Sequence, residues 1–283
     1  MKKQLIKQAL VLSLILVTIS AFSQDATLLK YNFVKGKTYV ISTQLNNNVT
    51  QTMGGQEMKI ESGINTNSEM LVEDVKSNGD FTTLVTLMNT SMHTKIPAMG
   101  RDTTMKFNDL NDQRRIVFSS TGKQISAVDL NPEKSLKMMA TIKQLLKIQG
   151  LPEKSLKVGE KWNDKLIDTT KATAQNPVNM IMTTDMEYTL LGKEVKDGIE
   201  LLKISFAGAM TINGKGNMQG MELFVEGTGK TEGFSYFNPK TSILVNNEAS
   251  TEMDMSIAVS GQQNMTMPMS QSMKSITKIE EKI

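Results

Sequence analysis

Apolar and polar residues alternate along most of this chain. Tyr39, Ile41, Thr43, Leu45, Val49 and Met53 recur at even spacings, and Met58, Ile60 and Ile64 resume the pattern after "MGGQ". Period two places successive side chains on opposite faces of a strand, so these runs predict half-buried β-strands. "SNGD" at Ser77 to Asp80 predicts a hairpin turn between "MLVEDV" and "FTTLVTL". Further hairpins are predicted in "RRIVFSSTGKQISAVDL", around Asp197-Gly198, and in "GFSYFNPKTSILV". Val178, Met180, Met182, Thr184, Met186, Tyr188 and Leu190 fall on one face of a single long strand.

One segment breaks this period. Asn131 is a fitting N-cap, Pro132 suits the first helical position, and Glu133 favours the N-terminal dipole. Leu136, Met139, Ile142, Leu145 and Leu146 follow at helical spacing before Gly150 and Pro152 stop the run. The helix is predicted at about 132–149. Its polar face carries Lys134, Lys137, Lys143 and Lys147, a pattern shared by solvated helices and by helices that touch anionic membranes or cover an open sheet.

The strand segments also repeat. "KGKTY" near residue 37 resembles "VGEKW" near 160. "VEDVKSNGDFTTLVTL" near 75 resembles "GKEVKDGIELLKISF" near 195, and "IVFSSTGKQIS" near 118 resembles "FSYFNPKTSIL" near 237. Three matches in one order at one offset predict an internal duplication. The predicted fold is therefore mainly β with one helix: a long antiparallel curved sheet or half-barrel made from two duplicated halves. The N-terminal half covers 24–130, the helix and linker 131–157, and the C-terminal half 158–283, with one continuous domain over 24–283 as the alternative. The repeat leaves open whether the halves form one sheet or two.

The first residues alter the reading of charge and compartment. A basic start, the run "QALVLSLILVTISAF" and small residues at Ala21 and Ser23 predict a signal peptide over 1–23, cut near Ser23-Gln24. The expected location is the periplasm or the extracellular space, with no transmembrane segment in the mature chain. The chain has 32 basic and 29 acidic residues. Loss of Lys2, Lys3 and Lys7 leaves 29 of each, so the positive balance does not mark a nucleic-acid surface.

Candidate chemistry is sparse. There is no Cys, which excludes disulfides, thiolate metal sites and cysteine nucleophiles, and His93 is the only histidine. A serine triad would need His93, which reads as an ordinary strand residue. Asp185 and Glu187 share a polar strand face, as solvated strands often do. No nucleophile elbow, phosphate loop or metal-ligand cluster is present, so no catalysis, cofactor or metal site is expected.

Methionine is the distinctive feature, with 22 residues against 5% aromatics. Met253, Met255, Ile257 and Val259 share one strand face. Met265, Met267, Met269 and Met273 share the next, in "NMTMPMSQSM". A hairpin with a three-residue loop at Gly261 to Gln263, or five around it, would set Val259 opposite Met265, Ile257 opposite Met267 and Met255 opposite Met269. Pro268 points off that face and predicts an edge strand or a bulge. Thioethers at M-x-M spacing also suit Cu(I), although no His or Cys stands near them. The favoured reading makes these residues core or cavity lining. Met180, Met182, Met186, Met253, Met255, Met265, Met267 and Met269 are the candidate ligand-lining set, for a hydrophobic small molecule or lipid. An envelope protein is the alternative partner, met by long Thr- and Asn-rich strands and their edges.

"YNFVKGKTYVIS", "PEKSLKVGEKW" with Trp162, "YFNPKT" and the signal ending "SQ" resemble a group of secreted Bacteroidota proteins of unknown function. More distantly, the expected architecture is similar to periplasmic lipoprotein carriers. That resemblance implies a half-open barrel holding acyl chains under helices, and it transfers no catalytic residue.

Overall fold

A computed structural model describes residues 26–131, 148–172, 177–218, 220–260 and 264–282. The expected signal segment, 1–23, and the core of the expected helix, 132–147, lie outside the described residues, and Ile148 and Gln149 are irregular. Among the described residues there is no α-helix and therefore none that could cross a membrane. Twelve strands follow one another: β1 Thr38–Met53, β2 Gln56–Val75, β3 Phe81–Ile96, β4 Arg101–Phe107, β5 Asp112–Phe118, β6 Gln124–Asp129, β7 Lys161–Thr170, β8 Val178–Lys196, β9 Ile199–Met218, β10 Met221–Asn238, β11 Ile243–Ser260 and β12 Met265–Glu281. A short 3-10 turn, Pro97–Met99, precedes β4.

All twelve join one antiparallel sheet in the order β6-β5-β3-β2-β1-β12-β11-β10-β9-β8-β7, with β4 pairing β3. Laid flat, the ten spacings from β6 to β7 would span about 48 Å. Yet inner-face residues from both flanks, such as Phe118 of β5 and Trp162 of β7, belong to one buried cluster. The sheet therefore curls around a shared core. Among the described residues β6 and β7 do not pair, so it is not closed.

The two halves repeat at the level of single hydrogen bonds. In a turn before β1, the Gly36 amide donates to the Val72 carbonyl (2.9 Å), Lys37 to Val34 (3.1 Å) and Val72 to Lys37 (2.9 Å). Before β7, Gly159 donates to Leu190 (2.7 Å), Glu160 to Lys157 (3.0 Å) and Leu190 to Glu160 (3.1 Å). A β-bulge follows at Val72/Asp74 in one half and at Leu190/Gly192 in the other. A second bulge sits at Val117/Phe118 and at Tyr236/Phe237. The strands β1, β2, β3, β5 and β6 thus correspond to β7, β8, β9, β10 and β11. β12 stands outside the repeat and zips the halves together, pairing β11 on one side and β1 on the other.

One end of the curl is stoppered by the segment 26–34. It runs from Thr27, bridged to Leu156, past backbone bonds from Tyr31 to Ser120 and from Asn32 to Ser242. Leu29, Tyr31 and Phe33 are buried there against Phe81, Phe237 and Tyr39. Burial of three such side chains contributes several kcal/mol, at about 1.5–3 kcal/mol each. The strap therefore binds the equivalent turns of both halves to one plug.

Pro268 corrects one expectation. β12 is an interior strand, not an edge. The β1 ladder, however, ends at Gln51–Met269, one residue short of the proline, while β11 continues beside it through Ser256. A residue without an N–H cannot serve a continued ladder, so Pro268 marks where β12 becomes locally one-sided.

Candidate functional site: a methionine-lined cavity

The inner face of the C-terminal half is not filled. A cavity of about 840 Å³ lies between β7 and β12, with Ile41 of β1 in its wall and Tyr31, Ile148 and Gln149 at its strap end. That volume falls within the range of about 300–1,000 Å³ usual for ligand pockets.

Strand register builds the walls in levels. At the strap end Ser235, Asn247 and Thr277 stand side by side. Next come Tyr188, Phe206, Gly233, Ala249 and Ser275, then Met186, Gly208, Thr231, Thr251 and Met273, then Thr184, Met210, Gly229, Met253 and Gln271. Beyond them lie Met182, Ile212, Gly227, Met255 and Met269, and then Met180, Gly214, Val225 and Ile257. The hairpin register is that expected from the odd loop: Val259 faces Met265, Ile257 faces Met267, and Met255 faces Met269. The loop itself, 261–263, lies outside the described residues.

Of the eight candidate methionines, Met180, Met182, Met186, Met253, Met255 and Met269 line the cavity. Met265 and Met267 do not. They lie past the last β1 partner, where the wall loses a strand; Met265 is 41% exposed, and the Met267 sulfur accepts from Gln51 Nε2 at 3.7 Å. Met210, Ile212 and Val225, none of them in the candidate ligand-lining set, complete a buried apolar cluster with Met253. Their signal was the same alternation, diluted in β9 by glycines of equal parity.

Those glycines shape the cavity. Met186 pairs with Gly208, Met180 with Gly214, Met255 with Gly227, and both Met253 and Met210 with Gly229. A Cβ on Gly229 would come within 2.8 Å of Met253 Cγ and 2.9 Å of Met210 Cε; one on Gly227 within 2.6 Å of Met255 Cγ; and one on Gly208 would strike the Met186 sulfur. Methionines thus lie down across neighbouring strands, over positions that lack a side chain. The trough stays open, and its lining consists of unbranched thioethers that reshape at little cost.

The strap end is polar. Tyr31 Oη donates to the Gln149 carbonyl at 2.9 Å, and burial pushes the Tyr31 phenol up, as it does Tyr188. Asn247 Nδ2 donates to Ser235 Oγ at 2.8 Å, and Ser235 in turn donates to Gln149 Oε1. Thr43 and Thr277 share a hydroxyl bond at 3.1 Å, and Thr251 donates to Thr231 at 2.9 Å. Gln149 Nε2 is buried and finds no acceptor among the described residues. A donor left so costs about 1–3 kcal/mol. The described lining holds no Lys or Arg, and Asp168 is its one acid.

Other titratable pairs lie elsewhere. The exposed side chains of His93 on β3 and Asp102 on β4, Nε2 and Oδ1 2.8 Å apart, lie outside the cavity. Asp185 and Glu187 point outward, to Lys165 (3.4 Å) and Lys161 (2.7 Å). Among the described residues no three His, Asp or Glu gather as metal ligands.

No protein-family model matches the chain, and no curated protein matches it. Among solved structures, the chain is similar to OccK7 (OpdD) of Pseudomonas aeruginosa, with 7% identity and a TM-score of 0.28 over 88% of this chain and 100% of that one. It is also similar to an outer membrane channel of Pseudomonas putida F1, at 9% identity and a TM-score of 0.26 over 88% and 97%. The translocator domain of the autotransporter NalP of Neisseria meningitidis follows, at 8% and 0.18 over 98% and 97%. At these scores the likeness carries nothing about function.

Proposed function

We propose that this chain is a non-catalytic, exported envelope protein that holds a hydrophobic ligand or lipid in its methionine-lined cavity. The observation behind this reading is the open trough itself, where six of the candidate methionines surround about 840 Å³. A close-packed core would leave no such space, since protein interiors hold few voids larger than a water molecule. The polarity of the sheet fits a water-borne carrier. Outward positions carry Glu226, Lys230 and Glu232 on β10, Glu252 and Asp254 on β11, and Lys274 and Lys278 on β12, all exposed. A lipid-embedded barrel has the reverse, an apolar band outside and a polar lumen. Export rests on the signal pattern of residues 1–23.

The test is titration of the delipidated mature protein with a neutral hydrophobic fluorophore, such as N-phenyl-1-naphthylamine, beside native mass spectrometry of protein purified from its own envelope. Met182→Glu or Met255→Glu places a carboxylate among thioethers and is expected to weaken fluorophore binding by about tenfold or more, with the circular dichroism spectrum retained. Binding that both variants leave unchanged rejects the cavity as the site. A second reading, an interaction module, is favoured by the sheet edges: β6 exposes Ile125 and Val128, and β7 exposes Ile167.

A further inference from the structure

The cavity is far longer than it is wide. On β8 every inward residue from Val178 to Tyr188 lines it, and on β11 every one from Asn247 to Ile257. Each stretch advances about 33 Å, at about 3.3 Å per residue. A volume of about 840 Å³ spread over that length leaves a mean section of about 25 Å², a channel about 6 Å across.

Strand register explains this shape. β9 and β10 lie between β8 and β11, and their inward positions include Gly208, Gly214, Gly216, Gly227, Gly229 and Gly233. The floor is thereby recessed along the strand direction, while Met180 and Met182 of β8 and Met253 and Met255 of β11 stand in its walls. The strap end is shut. Tyr31, Ile41, Tyr188, Leu244 and Ile279 line the cavity there, and all five are buried members of the shared core cluster. The far end is more open. Leu166 and Met218 belong to the lining and are 41% and 43% exposed, with Asp168 and Thr170 following Leu166 along β7.

Width limits the number of chains. Carbon atoms in contact stand about 4 Å apart, so one polymethylene chain fits a channel of this section, and two side by side, about 8 Å wide, do not. Depth limits length. An extended chain advances about 1.25 Å per carbon, from a bond of about 1.5 Å and an angle of about 111°. The trough, less one contact distance at its closed end, therefore takes about 23 carbons. Each level of the wall, from one inward residue to the next, takes about five.

Resting on the ligand-holding reading above, we propose that the trough takes one unbranched acyl or alkyl chain, threaded tail-first from the rim at Leu166 and Met218 and lying along β8 and β11. The closed end at Tyr31 and Tyr188 sets the longest chain, so the wall acts as a ruler graduated in levels.

The experiment uses the full mature protein loaded with N-phenyl-1-naphthylamine, displaced by saturated fatty acids of about 8 to 20 carbons at about pH 8, each below its micelle-forming concentration. Every acid is ionised there, so the head is constant and only length varies. The displacing concentration is expected to fall about fourfold per added carbon, the gain from burying one CH₂, with no break through about 20 carbons. Thr184→Phe and Thr251→Phe each obstruct one level, the second lying one level deeper than the first. Measured from Val178, the length beyond which added carbons gain nothing is expected at about 13 in Thr184→Phe and about 18 in Thr251→Phe. Below its break each variant keeps the fourfold step, which also shows that it folds. A break at the same length in both variants, or a loss equal at all lengths, overturns the proposal. So do two palmitates per protein in native mass spectrometry of the unaltered chain, a count that decides the single chain even if a variant misfolds. If neither fluorophore nor fatty acid binds, the ligand-holding reading itself fails; if both bind and neither variant shows a break, only the ruler fails.

Discussion

Met186 lies across Gly208, and that pair shows how single residues set the capacity of the cavity. The nearest atom to a new Cβ at Gly208 is the Met186 sulfur, the far end of a flexible side chain, with Thr184 Cγ2 next at 3.1 Å. The nearest backbone atom to it, the Asp185 carbonyl oxygen at 3.2 Å, has to give by only a few tenths of an ångström. Gly208→Ala lifts the thioether into the trough, and overpacking of this kind costs about 1–3 kcal/mol. Reduced affinity for long-chain ligands is expected, read by fluorophore displacement, together with a lower urea midpoint. Met186→Val in the same chain shortens the obstructing arm and is expected to restore binding. If the double variant binds no better than Gly208→Ala, the methionine-over-glycine account of the trough is wrong.

At the scale of elements, the repeated turn before β1 and β7 explains the "KGKTY" and "VGEKW" resemblance. Gly36 and Gly159 hold φ of +84° and +86°, and a Cβ at either would meet nothing within 4 Å. Their requirement is conformational alone, since the third residue of such a turn needs positive φ. Gly36→Ala and Gly159→Ala are each expected to cost about 1–2 kcal/mol and, being far apart in the sheet, to add when combined. Chemical denaturation of the two single variants and the double variant checks both size and additivity. Unequal costs would show that the two halves, alike in hydrogen bonding, differ in the strain they tolerate.

On the scale of the whole molecule, β12 and the strap join two repeats into one sheet around a shared core. β12 is the sole partner of β1 on its outer side and of β11 on its other, and the buried cluster spans both flanks of the sheet. Neither half retains an intact inner face without the other. The single tryptophan, Trp162, belongs to the C-terminal half and stacks on Tyr188 with ring centroids 4.9 Å apart. Its fluorescence and the far-ultraviolet circular dichroism of the whole sheet are expected to report one midpoint on urea unfolding. Two separate transitions would mean that the halves fold as independent domains.

The sequence by itself determined the strands, their faces and their hairpins. Side-chain direction in a strand has a period of two, so alternation such as Met253, Met255, Ile257 against Met265, Met267, Met269 specifies both the buried face and the register across a short loop. It also carried the duplication, because turns that need Gly36 and Gly159 leave local marks. Tertiary structure alone decided that β1 pairs with β12, residues more than 200 positions apart. Nothing local encodes such a pairing, since both strands show the same alternation and either could have met another edge. It decided, too, where Met265 and Met267 part from the other methionines, because the β1–β12 ladder ends at Gln51 and Met269. And it decided that the inner face encloses space: the volume left by Met186 over Gly208 or Met253 over Gly229 depends on which strands are neighbours, which no single strand records.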